Sequence, residues 1–175
     1  MVRSAPPSTT TQDAFPARPD ITVGLGPEGI VLDPKLRRGF VSCSRSNSVT
    51  VFDMDTLQSI GEVAVGLEPI GLAYDPLTRR VFTSDARANQ VSVIDAEKME
   101  LIKQIPVGIY PAGIGVYSEK RKIYCGNTAA STVSVIDADT LEVLATVPAK
   151  LARGVYGGIE AQGHYSPGYY GAQVL

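Results

Sequence analysis

Residues able to do chemistry are sparse in this 175-residue chain, and those present recur at a fixed interval. Asp53, Asp95 and Asp137 stand 42 residues apart. Such carboxylates can ring a metal ion if the fold brings them to one centre. Alternatively, each can accept backbone N–H bonds in the turn that follows it. The second reading is favoured, because each Asp belongs to a separate copy of a repeat. His164 is the only histidine, so a His-based metal site, a haem with two His ligands and a cluster of acid–base histidines are all excluded. Cys43 and Cys125 do not form a spaced metal motif. There is no Gly-x-Ser-x-Gly elbow and no Gly-rich phosphate loop leading into a helix. The expectation is no catalytic residue, no metal site and no cofactor, which weighs against an enzyme.

The polar residues that do recur point to binding instead. Arg45 and Arg87 occupy one column of the repeat, and Asn47 and Asn89 another. They lie in the loops Cys43–Ser48 and Asp85–Gln90, with Asn127 opening the corresponding third loop. Glu68 and Tyr110 lie in the loops that join one copy to the next, on the same face. Loops on one face of a rigid scaffold are where binding specificity resides. The candidate ligand-binding set is therefore Arg45, Asn47, Glu68, Arg87, Asn89, Tyr110 and Asn127, forming a shallow polar site for a protein, peptide or glycan. The competing reading is that Asn and Ser merely close the loops.

The repeat that must position these residues is exact in length. Residues 23–64, 65–106 and 107–148 align without insertion or deletion. Identical columns are Val23/Val65/Val107, Gly24/Gly66/Gly108, Pro27/Pro69/Pro111, Gly29/Gly71/Gly113, Val49/Val91/Val133, Val51/Val93/Val135 and Asp53/Asp95/Asp137. In the second copy, strands are expected at Pro69–Tyr74, Val81–Ser84, Val91–Asp95 and Leu101–Val107. The alternating β-branched run Val91-Ser-Val-Ile is the clearest, and Asp75-Pro76 marks a turn. No segment of the repeats has the 3.6 period of an amphipathic helix. A period in the low forties built from four short strands is that of propeller blades. The fold class is therefore all-β, a partial β-propeller of three four-stranded antiparallel blades.

The invariant columns have structural explanations. Gly24, Gly66 and Gly108 are expected where an outer strand crosses to the next inner strand, a tight crossing that calls for positive φ. Gly29, Gly71 and Gly113 lie in inner strands, where blades crowd near the axis. The paired Val columns face the space between blades. Cys43 and Cys125, separated by a whole blade, are expected to be free buried thiols, beyond the roughly 7 Å Cα limit for a disulfide.

Together, Gly66-x-x-Pro69-x-Gly71, Arg80-Val-Phe-Thr-Ser84, Val91-Ser-Val-Ile-Asp95 and Val133-Ser-Val-Ile-Asp137-Ala-Asp-Thr140 resemble the YVTN-type β-propeller repeat. The namesake strand reads Phe40-Val-Ser-Cys43, Phe82-Thr-Ser-Asp85 and Tyr124-Cys-Gly-Asn127, none a full match. The resemblance covers 21–148. It implies a bacterial or archaeal seven-bladed propeller, commonly exported or surface-associated, hence a periplasmic or extracellular parent protein. It also keeps open a fragment of a propeller enzyme or redox protein, lactonase-like or haem-dependent reductase-like, with catalytic groups in other blades.

Three blades do not close a ring of about four to eight. About 400 Å² of apolar surface left in water on an open face corresponds to roughly 10 kcal/mol, comparable with a domain's whole stability. Either the chain is a piece of a larger propeller, which the flanks favour, or copies associate through open blade faces, with Val49, Val51, Val133 and Val135 as candidates. Residues 1–20 read as a disordered linker and 149–175 as an irregular Gly/Tyr-rich tail. No apolar run is long enough for a signal peptide or a membrane span. The net charge of −2 argues against a nucleic-acid surface. A basic rim of Arg37-Arg38, Arg79-Arg80 and Lys120-Arg-Lys122 stands as the alternative to simple solvated turns.

Overall fold

The computed structural model describes residues 20–149, which form three four-stranded antiparallel sheets. The first contains β1 (Pro27–Asp33), β2 (Arg38–Cys43), β3 (Ser48–Asp53) and β4 (Ser59–Ala64). The second contains β5 (Pro69–Asp75), β6 (Arg80–Asp85), β7 (Gln90–Asp95) and β8 (Glu100–Pro106). The third contains β9 (Pro111–Tyr117), β10 (Lys122–Asn127), β11 (Thr132–Asp137) and β12 (Val143–Pro148). Each sheet runs in chain order, and the first strands β1, β5 and β9 pack side by side. This is the expected arrangement of three propeller blades. A single 3₁₀ turn, Ser118–Lys120, is the only helical element among the described residues. The expected linker 1–20 and tail 149–175 lie outside the described residues, except for Asp20 and Ala149.

Four left-handed residues punctuate every blade. They are Gly26, Arg37, Asn47 and Leu57 in the first, then Glu68, Arg79, Asn89 and Met99, then Tyr110, Arg121, Ser131 and Leu141. Each set follows the last by 42 residues, so every reversal is the same turn repeated. The crossing glycines differ from expectation here. Positive φ falls on Gly26, Glu68 and Tyr110, two residues after Gly24, Gly66 and Gly108. The crossing glycines are required for space instead. A Cβ would stand 2.8 Å from Ser46 Oγ at Gly24, 2.4 Å from Gln90 Nε2 at Gly66 and 2.6 Å from Asn127 at Gly108.

The aspartate column acts as its turn reading requires. Asp53 Oδ1 accepts from the backbone N–H groups of Asp55 and Thr56 at 3.0 and 2.8 Å. Asp95 Oδ1 accepts from Glu97 and Lys98, and Asp137 Oδ1 from Asp139 and Thr140. One residue before each Asp the β3–β4, β7–β8 and β11–β12 pairings shift register, a bulge common to all three blades.

Two of the three core clusters lie between blades; the third, Val41, Cys43 and Phe52, lies on the first blade's other face, under Ile21, Val23, Met54 and Leu57. Phe40, Val49, Val51 and Val63 of the first blade cluster with Val81, Ile94 and Ala96 of the second. Phe82, Val91, Val93 and Ile105 of the second cluster with Ile123, Ile136 and Ala138 of the third. Val49 and Val51, expected on an open face, are fully buried: the column faces the following blade, which covers it in the first blade. Only Val133 and Val135 remain half-buried.

Polar joints repeat alongside the apolar ones. Ser42 Oγ donates to Ile70 O at 2.7 Å, and Ser84 Oγ to Ala112 O at 2.7 Å. Arg38 donates to Ala96 O at 2.9 Å, and Arg80 to Ala138 O at 2.8 Å. A Cβ on Gly29 would meet Ile70 O at 2.8 Å, and one on Gly71 would meet Ala112 O at 2.4 Å. Those glycines admit the neighbouring backbone.

Candidate functional site

The joining loops and the β2–β3 and β6–β7 loops meet on one face. There they frame an open depression of about 780 Å³, lined by Glu28, Ser44, Arg45, Asn47, Leu67, Glu68 and Arg87. Strand ends hold the loops in place. Ser44 N donates to Gly26 O at 2.8 Å, and the corresponding bond in the second blade runs from Ala86 N to Glu68 O at 2.9 Å.

The charged side chains form a graded set. Tyr110 Oη donates to Glu68 Oε1 at 2.9 Å, a bond that raises the phenol pKa above its ordinary value. Arg87 Nε lies 3.7 Å from Glu68 Oε2 and is largely in solvent. Ser44 Oγ donates to Glu28 Oε1 at 3.2 Å. Arg45 is exposed, with no acidic partner among the described residues. The chemistry available is an acceptor-seeking guanidinium, a second one loosely tethered, and an aliphatic edge.

Four of the seven candidate residues, Arg45, Asn47, Glu68 and Arg87, are brought together in the depression, and Tyr110 joins them through Glu68. The asparagines hold the scaffold. Asn47 Oδ1 accepts from Glu68 N and Asn89 Oδ1 from Tyr110 N, both at 2.9 Å, clipping each loop to the crossing into the next blade. Asn127 lies apart, 1% exposed, with its amide donating to Thr132 and Ser134 hydroxyls. Ser44 and Leu67 belong to the lining although the sequence reading passed over them. A signal for Leu67 was present: Leu25, Leu67 and Ile109 form one column and are 71%, 55% and 60% exposed.

The basic columns are spent elsewhere. Arg37 pairs with Asp55, Arg79 with Glu97 at 3.1 Å, and Arg121 with Asp139 and Asp75. Arg38 and Arg80 bind backbone carbonyls of the next blade, and Lys122 reaches Asp137 at 2.9 Å. Carboxylates thus offset the charge of Arg37, Arg79 and Arg121, whereas Arg38 and Arg80 keep theirs and are held in place by neutral carbonyls. Cys43 and Cys125 are free and buried, and burial pushes the Cys125 thiol up to about 12. No helix among the described residues is long and apolar enough to cross a membrane.

No protein-family model matches the chain, and no curated protein matches it. Solved structures do. Hydrazine synthase of Kuenenia stuttgartiensis is similar at 28% identity and a TM-score of 0.66, over 75% of this chain and 38% of that one. The U3-55K structure is similar at 9% identity and a TM-score of 0.64, over 73% and 40%. The nidogen/laminin complex is similar at 18% identity and a TM-score of 0.59, over 73% and 49%. The last two show the propeller fold alone, and the chain spans less than half the length of each structure.

Proposed function

We propose that this chain is a non-catalytic β-propeller repeat module that binds a protein or peptide through its loop face, as part of a larger propeller. The observation that carries this reading is the depression between the first and second blades. It places Arg45, without an acidic partner among the described residues, and the loosely held Arg87 beside the exposed Leu67. Such a surface suits a segment carrying a carboxylate next to an apolar side chain. A glycan would use the same Arg and Glu68 groups but would gain little from Leu67. The resemblance to YVTN-type repeats supports a bacterial, envelope-associated setting.

A displayed library of random dodecapeptides, selected on the immobilised chain, tests the reading. Enrichment of acidic, Leu- or Phe-containing peptides that no longer bind an Arg45→Glu/Arg87→Glu variant is expected. Binders indifferent to both substitutions, or no enrichment, would refute it.

A second reading has one specific observation in its favour. The likeness to hydrazine synthase, at 28% identity over 75% of this chain, fits blades drawn from a propeller enzyme. That reading places the catalytic groups in other blades, and a cytochrome motif or several inward-facing metal ligands encoded in an extended reading frame is its expected signature.

A further inference from the structure

The charged residues of the loop face gather at one blade joint. At the joint between the first and second blades stand Glu28, Arg45, Glu68 and Arg87. One repeat later the corresponding positions are Ile70, Arg87, Tyr110 and Ala129. There a phenol replaces the Glu68 carboxylate and an apolar methyl replaces the second guanidinium. That phenol reaches back to the first joint, where Tyr110 Oη donates to Glu68 Oε1 at 2.9 Å.

Both partners of this bond have fixed backbones. Glu68 has a left-handed φ of 55°, its N–H donates to Asn47 Oδ1 at 2.9 Å, and its carbonyl accepts from Ala86 N at 2.9 Å. Tyr110 is pinned in the same way, its N–H donating to Asn89 Oδ1 and its carbonyl accepting from Thr128 N, both at 2.9 Å. With Oε1 committed to the phenol, Oε2 lies 3.7 Å from Arg87 Nε, beyond hydrogen-bond reach. The Arg87 side chain is 72% exposed, so a ligand carboxylate can take the guanidinium while Glu68 keeps its phenol. After that exchange a negative charge stands fixed beside the bound anion. The charge of Glu28 acts on the same phenol and so lies close by. Two carboxylates thus share the depression with two guanidiniums. One negative charge on a ligand is met by Arg45 and Arg87, and each further one is opposed by Glu68.

We propose that Glu68, positioned by Tyr110, is the specificity determinant of this depression: it admits a ligand with a single carboxylate beside an apolar group and rejects ligands of higher negative charge. This rests on the loop-face binding reading and supplies the repulsive half of that recognition. A pair of arginines alone would favour a phosphate over a carboxylate, through the greater charge and the fit of the guanidinium fork to either group. Glu68 reverses that order.

Benzoate and phenyl phosphate are matched probes. Both carry an aromatic ring for Leu67, with one charge on benzoate and nearly two on phenyl phosphate at about pH 8. Their dissociation constants are read on the full ¹⁵N-labelled chain from the Arg45 and Arg87 Nε–H signals at low ionic strength. The wild type is expected to bind benzoate the more tightly. Glu68→Gln keeps the backbone bonds and the side-chain length. It should shift the ratio of the two constants roughly fivefold towards phenyl phosphate, the effect of one unit charge about 4 Å away in water. Tyr110→Phe leaves the charge but removes its anchor, and should shift the ratio the same way by less. A side chain with a merely structural role would weaken both probes alike and leave the ratio unchanged. An unchanged ratio in Glu68→Gln, a wild type that prefers phenyl phosphate, or arginine signals that respond to neither probe in either protein overturns the proposal. The peptide selection judges the binding reading separately. An empty selection with a shifted ratio refutes that reading alone, and acidic peptides with an unshifted ratio refute only the role of Glu68.

Discussion

Replacing Asp85 by Asn should make the protein more stable at neutral pH. Asp85 is fully buried where the first-blade counterpart is Cys43 and the third-blade counterpart Asn127. Its Oδ2 accepts from Gly66 N at 3.0 Å, Gln90 Nε2 at 3.1 Å and Ser92 Oγ at 2.5 Å. Its Oδ1 and the Thr83 hydroxyl make no well-formed hydrogen bond, although the hydroxyl lies near enough to favour the carboxylate's charge. Burial raises the carboxyl pKa above 3.8, outweighing the bonds from Ser92, Gln90 and Gly66 that favour the charge. An amide can keep its oxygen where Oδ2 stands and turn its NH₂ towards Thr83. Asn127 shows that an amide fits the column in the other orientation, its NH₂ donating to the equivalent Thr132 and Ser134 and its Oδ1 left without a partner.

An orphaned buried polar group costs about 1–3 kcal/mol, so a gain of ~1–2 kcal/mol is expected for Asp85→Asn at pH 7. That is a rise in Tm of roughly 3–5 °C per kcal/mol for a domain of this size. The pH dependence carries a definite sign. A carboxyl whose folded pKa is raised contributes stability below its unfolded pKa, here 3.8, and loses it as pH rises through the folded value. The variant's advantage should therefore be small near pH 4, grow with pH, and level off above the folded pKa. Urea denaturation followed by circular dichroism at several pH values, at low protein concentration, measures the difference. A variant less stable at pH 7, or a gap constant from pH 4 to 7, would refute the account of this buried carboxyl.

Other expectations follow from the joints. Under monomeric conditions Gly71→Ala should cost about 1–3 kcal/mol, because its Cβ meets Ala112 O at 2.4 Å. Gly113→Ala, with nothing within 4 Å, should stay within ~0.5 kcal/mol in the same melts. Gly39→Val should destabilise by about 1–3 kcal/mol, because the Phe52 ring occupies the space a Gly39 side chain would take. Gly39→Val/Phe52→Ile should recover most of that loss by restoring the cross-strand pairing that Val81 and Ile94 make; an additive double variant would contradict the space-sharing argument. Asn89→Ala removes both the bond to Tyr110 N and a residue suited to positive φ, so a loss of roughly 1–2 kcal/mol is expected in thermal denaturation. Cys125 should resist iodoacetamide at pH 8 until denaturant is added, and rapid alkylation of the native chain would show that its burial is overstated.

The sheets were legible because the repeat averages three readings of each strand. Pro69–Tyr74 and Val91–Asp95 match β5 and β7 to within a residue at either end. The crossing glycines were misread because conservation between copies marks a crowded position without saying whether φ or volume is the constraint. Open faces were only half legible. A strand's alternation tells which side chains share a face, but the direction of packing decides whether Val49 or Ile30 is left exposed. Within the site, Arg45, Arg87 and Glu68 were visible as polar residues in loops. The role of Asn47 and Asn89 depends on a bond 21 residues along the chain, which spacing alone does not reveal.

The forward reach of the arginine staples also constrains synthesis. Arg38 finds its acceptors at Ala96 O and Glu97 O, 58 and 59 residues later, and Ser42 finds Ile70 O 28 residues later. A first blade that has just emerged from the exit tunnel has donors bonded only to water and a wet Phe40 face. That blade gains its full set of bonds only after Glu97 has cleared the exit tunnel, when most of the second blade is already outside. Folding of this chain must therefore trail translation by more than one repeat, and each blade in turn waits on the one behind it.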